Sequence, residues 1–117
     1  MPLDTLALMS TASDEFRLEL PLESASWACR EAIASMGWEV ESIEPHRVVT
    51  RRGFWGFSRD QATVEVLLSE DGPDAARVVL SGRIFGLGRF AERHLKGEMN
   101  RLRNAAEVAA RRSPDRQ

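Results

Sequence analysis

Two neighbouring segments of the chain alternate between apolar and polar residues. Residues 61–69 place an apolar side chain at every second position, and residues 76–85 do so with one glycine in the series. This two-residue period is typical of strands that bury one face. The turn sequence Asp71-Gly72-Pro73-Asp74 between them is too short for a crossover, so the pair should form an antiparallel hairpin. A chain with such a hairpin must cover one face of a sheet with another layer.

The rest of the chain predicts three more strands and two helices. Strands are expected at residues 16–20, 38–42 and 47–52, and helices at residues 23–36 and 89–112. The order β-α-β-β-β-β-α indicates an α+β fold in two layers, with an antiparallel five-stranded sheet and both helices on one face. Ser24 or Ser26 could cap the start of the first helix. Trp27 falls on the polar side of this helix, and its role stays open. The apolar stripe of the second helix is formed by Ala91, Leu95, Leu102, Ala106 and Ala109, with Met99 at its edge. Arg89, Arg93 and Arg103 lie outside this stripe and should be exposed to solvent.

The length of 117 residues fits one domain. We predict a flexible leader at residues 1–13, an α+β domain at 14–112 and a disordered tail at 113–117. No apolar run approaches the length of a membrane span, and no signal peptide is recognisable, so we expect a soluble cytoplasmic protein. Cys29 is the only cysteine. It lies on the apolar side of the first helix, which favours a buried thiol over a nucleophile.

Two segments resemble a known group of proteins. The sequence Leu20-Pro21-Leu22-Glu23-Ser24-Ala25-Ser26-Trp27 is similar to the turn and first helix of START-like and polyketide-cyclase-like domains. The sequence Gly88-Arg89-Phe90-Ala91-Glu92-Arg93-His94-Leu95 resembles their last helix. The likeness covers residues 14–110 and implies a helix-grip fold that binds hydrophobic or lipid-like ligands. The same element order also resembles one repeat of the TATA-binding-protein fold, in which the open face of the sheet is the binding surface.

The most unusual segment is residues 51–59, which combine three aromatic side chains, two glycines and three arginines in a predicted connection between strands. Surface connections are usually polar, so the aromatic residues need an explanation. They could close one end of the core, or they could form the mouth of a binding site where arginines hold an acidic group. A third interpretation, stacking on nucleic acid, is disfavoured by the net charge of −2.

From these patterns we predict a non-enzymatic domain that binds a small hydrophobic or lipid-like ligand between the C-terminal helix and the sheet. The alternative is a structural or protein-interaction module that self-associates. No catalytic group, metal site or cofactor motif is recognisable, and no nucleic-acid partner is expected. The candidate ligand-binding residues are Arg51, Arg52, Phe54, Trp55, Phe57, Arg59, Leu95 and Met99.

Overall fold

The computed structural model describes residues 9–54, 57–85 and 89–113, with the side chains of residues 9, 41, 51–54, 57–61, 85, 89 and 90 excepted. This part of the chain forms five strands and two helices, and four of the strands follow one another between the helices. The elements are β1 (Met9–Leu18), α1 (Leu22–Ser35), β2 (Glu39–Glu44), β3 (Arg47–Phe54), β4 (Phe57–Glu70), β5 (Ala76–Phe85) and α2 (Arg89–Arg111). This order is the predicted one, and the α+β class is confirmed.

The strands form one antiparallel five-stranded sheet in the order β1-β5-β4-β3-β2. The first and last strands of the chain therefore pair, while β2 lies at the opposite edge. The hairpin expected between β4 and β5 is present and runs from Ala62↔Ile84 to Glu70↔Ala76. Gly72 in its turn has a φ of 98°, a left-handed conformation that glycine adopts without strain.

Both helices pack on the same face of the sheet. The alternating residues of the strands and the small residues of α1 share one core with the stripe of α2. The largest fully buried side chains include Leu20, Ile33, Leu80, Leu95 and Leu102. The other face of the sheet carries most of the charged side chains of the strands, as the alternation predicts, together with apolar residues such as the exposed Leu67. No helix within the described ranges is long and apolar enough to cross a membrane.

Some boundaries differ from those read off the sequence. β1 begins at Met9, five residues before the predicted domain start at residue 14, because Met9–Leu18 pairs with β5 along its whole length. Backbone pairing extends this strand through residues whose side chains show little alternation. At the other end, Ser113 was assigned to the tail, but it is buried and its N–H donates to the Ala110 carbonyl. The rest of the predicted leader and tail lies outside the described residues.

α1 begins without the side-chain cap that the sequence suggested. Pro21 precedes the first turn and offers no side-chain hydrogen bond. Ser26, one of the two predicted caps, instead donates from Oγ to the Pro45 carbonyl at 3.1 Å and accepts from Arg30 at 3.0 Å. This buried hydroxyl ties the start of α1 to the turn between β2 and β3.

Candidate ligand-binding site

Leu95 and Met99, the two predicted site residues on α2, meet the sheet at Gly82. Both side chains are buried. A Cβ atom built on Gly82 would lie 2.9 Å from Leu95 Cδ1 and 2.9 Å from Met99 Sδ, well inside ordinary contact distance. The glycine therefore lets the helix lie directly on β5. At the middle of α2, the space between helix and sheet is filled by these side chains.

One flank of α2 is closed against β1. Arg103 Nη1 lies 3.3 Å from Asp14 Oδ2, and its Nε donates to Glu107 Oε1 at 3.1 Å. The guanidinium also lies over the Phe16 ring, 5.2 Å from the centroid. The hydrogen bond to Glu107, with a smaller contribution from Asp14, raises the pKa of Arg103. This residue was expected to be fully exposed, but it is only half-exposed because β1 runs beside it.

The other flank of α2 carries a buried acid that the sequence analysis did not select. The Glu98 side chain is only 7% exposed, because it lies about 60° around the helix from the buried Leu95. Arg101 Nη1 lies 3.3 Å from its Oε1, and His94 Nε2 lies 4.0 Å from the same atom. The spacings i−4 and i+3 place these three groups together on one helix.

This arrangement has chemical consequences. A carboxylate removed from water costs free energy unless polar groups surround it, so a buried glutamate beside an apolar stripe is rarely there for packing alone. Paired with an imidazole, it can donate or accept hydrogen bonds toward a bound molecule, and the pair can also exchange a proton with it. The sequence did contain the signal, since His94, Glu98 and Arg101 share one side of a predicted helix next to its apolar stripe.

The remaining candidates belong to the predicted mouth. Arg51, Arg52 and Phe54 lie in β3, and Phe57 and Arg59 lie in β4, with Phe54 and Phe57 paired across the two strands. Their side chains are outside those described, and Trp55 lies outside the described residues altogether. The structure therefore brings Leu95 and Met99 together and leaves the aromatic mouth a prediction.

Trp27 lies in a groove between the two helices. The groove has a volume of about 310 Å³, with small residues of both helices on its walls. Its charged residues are Glu31 of α1 and Arg112, which directly follows α2. It is lined by Trp27, Glu31, Ala32, Ser35, Ala105, Ala109 and Arg112. The indole is 38% exposed. The Trp27 side chain therefore lies beside α2 and not against the sheet. This position explains why Trp27 falls opposite the apolar stripe of α1, since that stripe packs on the sheet.

No protein-family model matches the chain, and no curated protein matches it in sequence. Solved structures do share its architecture. The di-domain ARO/CYC StfQ, from the steffimycin biosynthetic pathway, aligns over 98% of this chain and 54% of its own, with a TM-score of 0.66 and 7% identity. CalU16 from Micromonospora echinospora aligns over 90% of this chain and 77% of its own, with a TM-score of 0.62 and 15% identity. A START superfamily protein from Mycobacterium smegmatis aligns over 87% and 97%, with a TM-score of 0.58 and 11% identity.

The chain has a helix-grip fold. The resemblance inferred from its two segments is confirmed at the level of the fold, which START-like proteins and aromatase/cyclases share. The sequence-based prediction excluded an enzyme, and that exclusion is wrong. Aromatase/cyclases are built on the same fold, so the lack of a recognisable catalytic motif does not rule out catalysis.

Proposed function

We propose that this protein binds a small hydrophobic or lipid-like ligand between α2 and the sheet, on the Glu98 flank of the helix. The observation that carries this proposal is the buried Glu98 carboxylate, which lies beside His94 and next to the apolar stripe of α2. The middle of the helix is in contact with Gly82, and the opposite flank is closed by Arg103. The Glu98 flank is where a ligand would meet both apolar and polar groups.

The proposal gives each part of the site a role. The apolar side chains around Ala91 and Leu95 would contact the body of the ligand, and burial of its surface would supply most of the affinity. His94 and Glu98 would hold a hydroxyl or carbonyl group and so set its orientation. Residues 51–54 and 57–59, which lie at one end of β3 and β4, would border the entrance. The aromatic residues predicted from the sequence would supply apolar contacts there.

Ala91 is the position from which to test this placement. It packs against the core one turn before Leu95, so Ala91→Trp should fill the space available to a ligand. Asn104→Trp adds the same side chain on the exposed side of α2 and is the matched control. The probe is 8-anilino-1-naphthalenesulfonate, followed by fluorescence, with native mass spectrometry of the freshly purified protein to find ligands retained from the cell.

We expect saturable binding of one probe molecule, weakened about ten-fold or more by Ala91→Trp and unchanged by Asn104→Trp. Thermal unfolding of both variants would establish that they remain folded. Absence of saturable binding to the folded wild type, or equal weakening by the two variants, would refute a site on this flank.

A second function is favoured by the edge of the sheet. Val40 and Ile43 in β2 are 48% and 54% exposed, although they pair with the buried Thr50 and Val48. An edge strand with exposed apolar side chains is a surface on which a second chain can pair. Self-association through β2 would be measured by analytical ultracentrifugation. Ile43→Lys should then abolish it, whereas Val108→Lys on the outside of α2 should not.

A further inference from the structure

A groove crosses the sheet on the face that is turned away from both helices. Its volume is about 680 Å³, which lies within the range of small-molecule sites. Four strands contribute to it, and most of the side chains in it carry a hydroxyl or a guanidinium group. Its polar lining consists of Thr11, Ser13, Arg47, Thr63, Glu65, Ser81 and Arg83. From the alternation of the strands alone, this face is expected to be solvated surface only.

Strand register explains why the face is concave. Ser13 pairs with Ser81 across β1 and β5, so two of the smallest polar side chains lie side by side at the centre. Arg83 lies in the next row, between Thr11 on β1 and Thr63 on β4. Small side chains flanked by a long one produce a depression with hydroxyl groups on its floor and a guanidinium at its wall.

The two arginines of the groove differ in their partners. Arg47 Nη2 lies 2.8 Å from Glu65 Oε2, and Nη1 lies 3.4 Å from Glu44 Oε1. The hydrogen bond and charge of Glu65 raise the pKa of Arg47, so this guanidinium is already engaged. Among the side chains that the structure describes, none places a carboxylate within ion-pair distance of Arg83. Among the described side chains, Arg83 is therefore the cation that this groove offers to a ligand.

We propose that the outer groove binds a small phosphate ester, with Arg83 pairing with the phosphate. Arginine matches the geometry of oxyanions with two parallel N–H donors. The hydroxyl groups of Thr11, Thr63 and Ser81 add further donors, and a phosphate group with three acceptor oxygens uses more of them than a carboxylate does. The groove is larger than a phosphate ion, so the organic part of the ester would extend over Ser13 and toward Val49.

The test uses glycerol 3-phosphate as the soluble probe and vesicles of phosphatidylcholine with phosphatidic acid as its lipid form. Binding of the soluble probe is followed by amide chemical shifts in ¹⁵N-labelled protein, and vesicle binding by co-sedimentation. The variants are Arg83→Gln, which removes the charge, and Ser81→Leu, which fills the floor. Arg77→Gln is the matched control, because Arg77 lies on the same strand and face about 20 Å away. It is paired with Glu15 at 3.0 Å.

Saturable shifts confined to β1, β4 and β5 around Ser81 would support the proposal. Arg83→Gln should weaken binding about ten-fold, as expected for loss of a charge-assisted hydrogen bond. Ser81→Leu should abolish it, and Arg77→Gln should leave it unchanged. Binding to the vesicles that contain phosphatidic acid but not to glycerol 3-phosphate, with the same dependence on Arg83, would identify the lipid form as the source of the phosphate. If neither glycerol 3-phosphate nor the vesicles bind, the proposal is overturned. Equal losses of binding affinity in Arg83→Gln and Arg77→Gln would also overturn it.

Discussion

The contact of Gly82 with α2 makes a quantitative prediction about the stability of the fold. In Gly82→Ala, the new methyl group would lie 2.9 Å from Leu95 Cδ1 and from Met99 Sδ, where carbon atoms normally stay about 3.5–4.0 Å apart. The two side chains would have to retreat by roughly 1 Å. Overpacking of this kind costs about 1–3 kcal/mol.

Two effects offset part of that cost. The atoms in contact are the ends of flexible side chains, and Gly82 has no positive φ that would strain alanine. Replacing glycine also lowers the conformational entropy of the unfolded chain, which stabilises the fold by about 0.4–1 kcal/mol. We therefore expect Gly82→Ala to lower the free energy of unfolding by about 1 kcal/mol. Chemical denaturation followed by circular dichroism would measure it.

A double-mutant cycle identifies the contact responsible. Met99→Ala alone should cost about 2–5 kcal/mol because it leaves a cavity in the core. In the double variant the methyl group on residue 82 no longer meets the sulfur atom, so the combined loss should be smaller than the sum by about 1 kcal/mol. Ser81→Ala, on the opposite face of the same strand, should change stability by less than about 0.5 kcal/mol.

A stabilising Gly82→Ala whose effect is additive with Met99→Ala would refute this reasoning. It would mean that α2 does not rest on β5 at this point and that an open space lies under the middle of the helix. The ligand site would then extend to Met99 instead of being confined to the Glu98 flank. The experiment therefore constrains both the packing of the core and the position of the proposed site.

The sequence predicted the core of the sheet well because burial of one face imposes a strict period. Val64, Val66 and Leu80 are on the inner face, as the alternation requires, and Leu95 and Leu102 are on the buried side of α2. A one-residue error in any of these strands would have exchanged its two faces. The helix-grip resemblance followed from two short segments and from the order of these elements, and it needed no knowledge of their contacts.

Contacts between residues far apart in the chain could not be predicted in the same way. Arg103 looked like a solvated residue because only the fold brings Asp14, 89 residues away, to within hydrogen-bond distance. Ser26 looked like a helix cap, but its hydroxyl bonds to Pro45, which no local pattern indicates. A periodicity describes one element, whereas these interactions depend on where two elements meet.

The site illustrates the same limit. Leu95 and Met99 were selected because they are apolar residues on the inner side of a helix, and that also describes a filled core. Glu98 was passed over because a charged residue on a helix is usually solvated. Its functional interest comes from its burial, and burial is a property of the fold.

Three further predictions concern single side chains. Leu102→Ala should lower the free energy of unfolding by about 2–5 kcal/mol, because Leu102 is fully buried. A loss below about 0.5 kcal/mol in chemical denaturation would contradict its position in the core. Asp14→Asn should cost less than about 1 kcal/mol in the same assay, since the Asp14–Arg103 pair is partly exposed. A loss above about 2 kcal/mol would mean that this pair is desolvated. Burial raises the pKa of the Cys29 thiol from 9.0 to about 12. Above pH 9 the unfolded chain therefore releases a proton that the folded chain keeps, and the free energy of unfolding should fall by up to about 1.4 kcal/mol per pH unit. Cys29→Ala should remove that part of the pH dependence, and equal slopes for this variant and the wild type between pH 9 and about 11 would show that the thiol is not shielded from water.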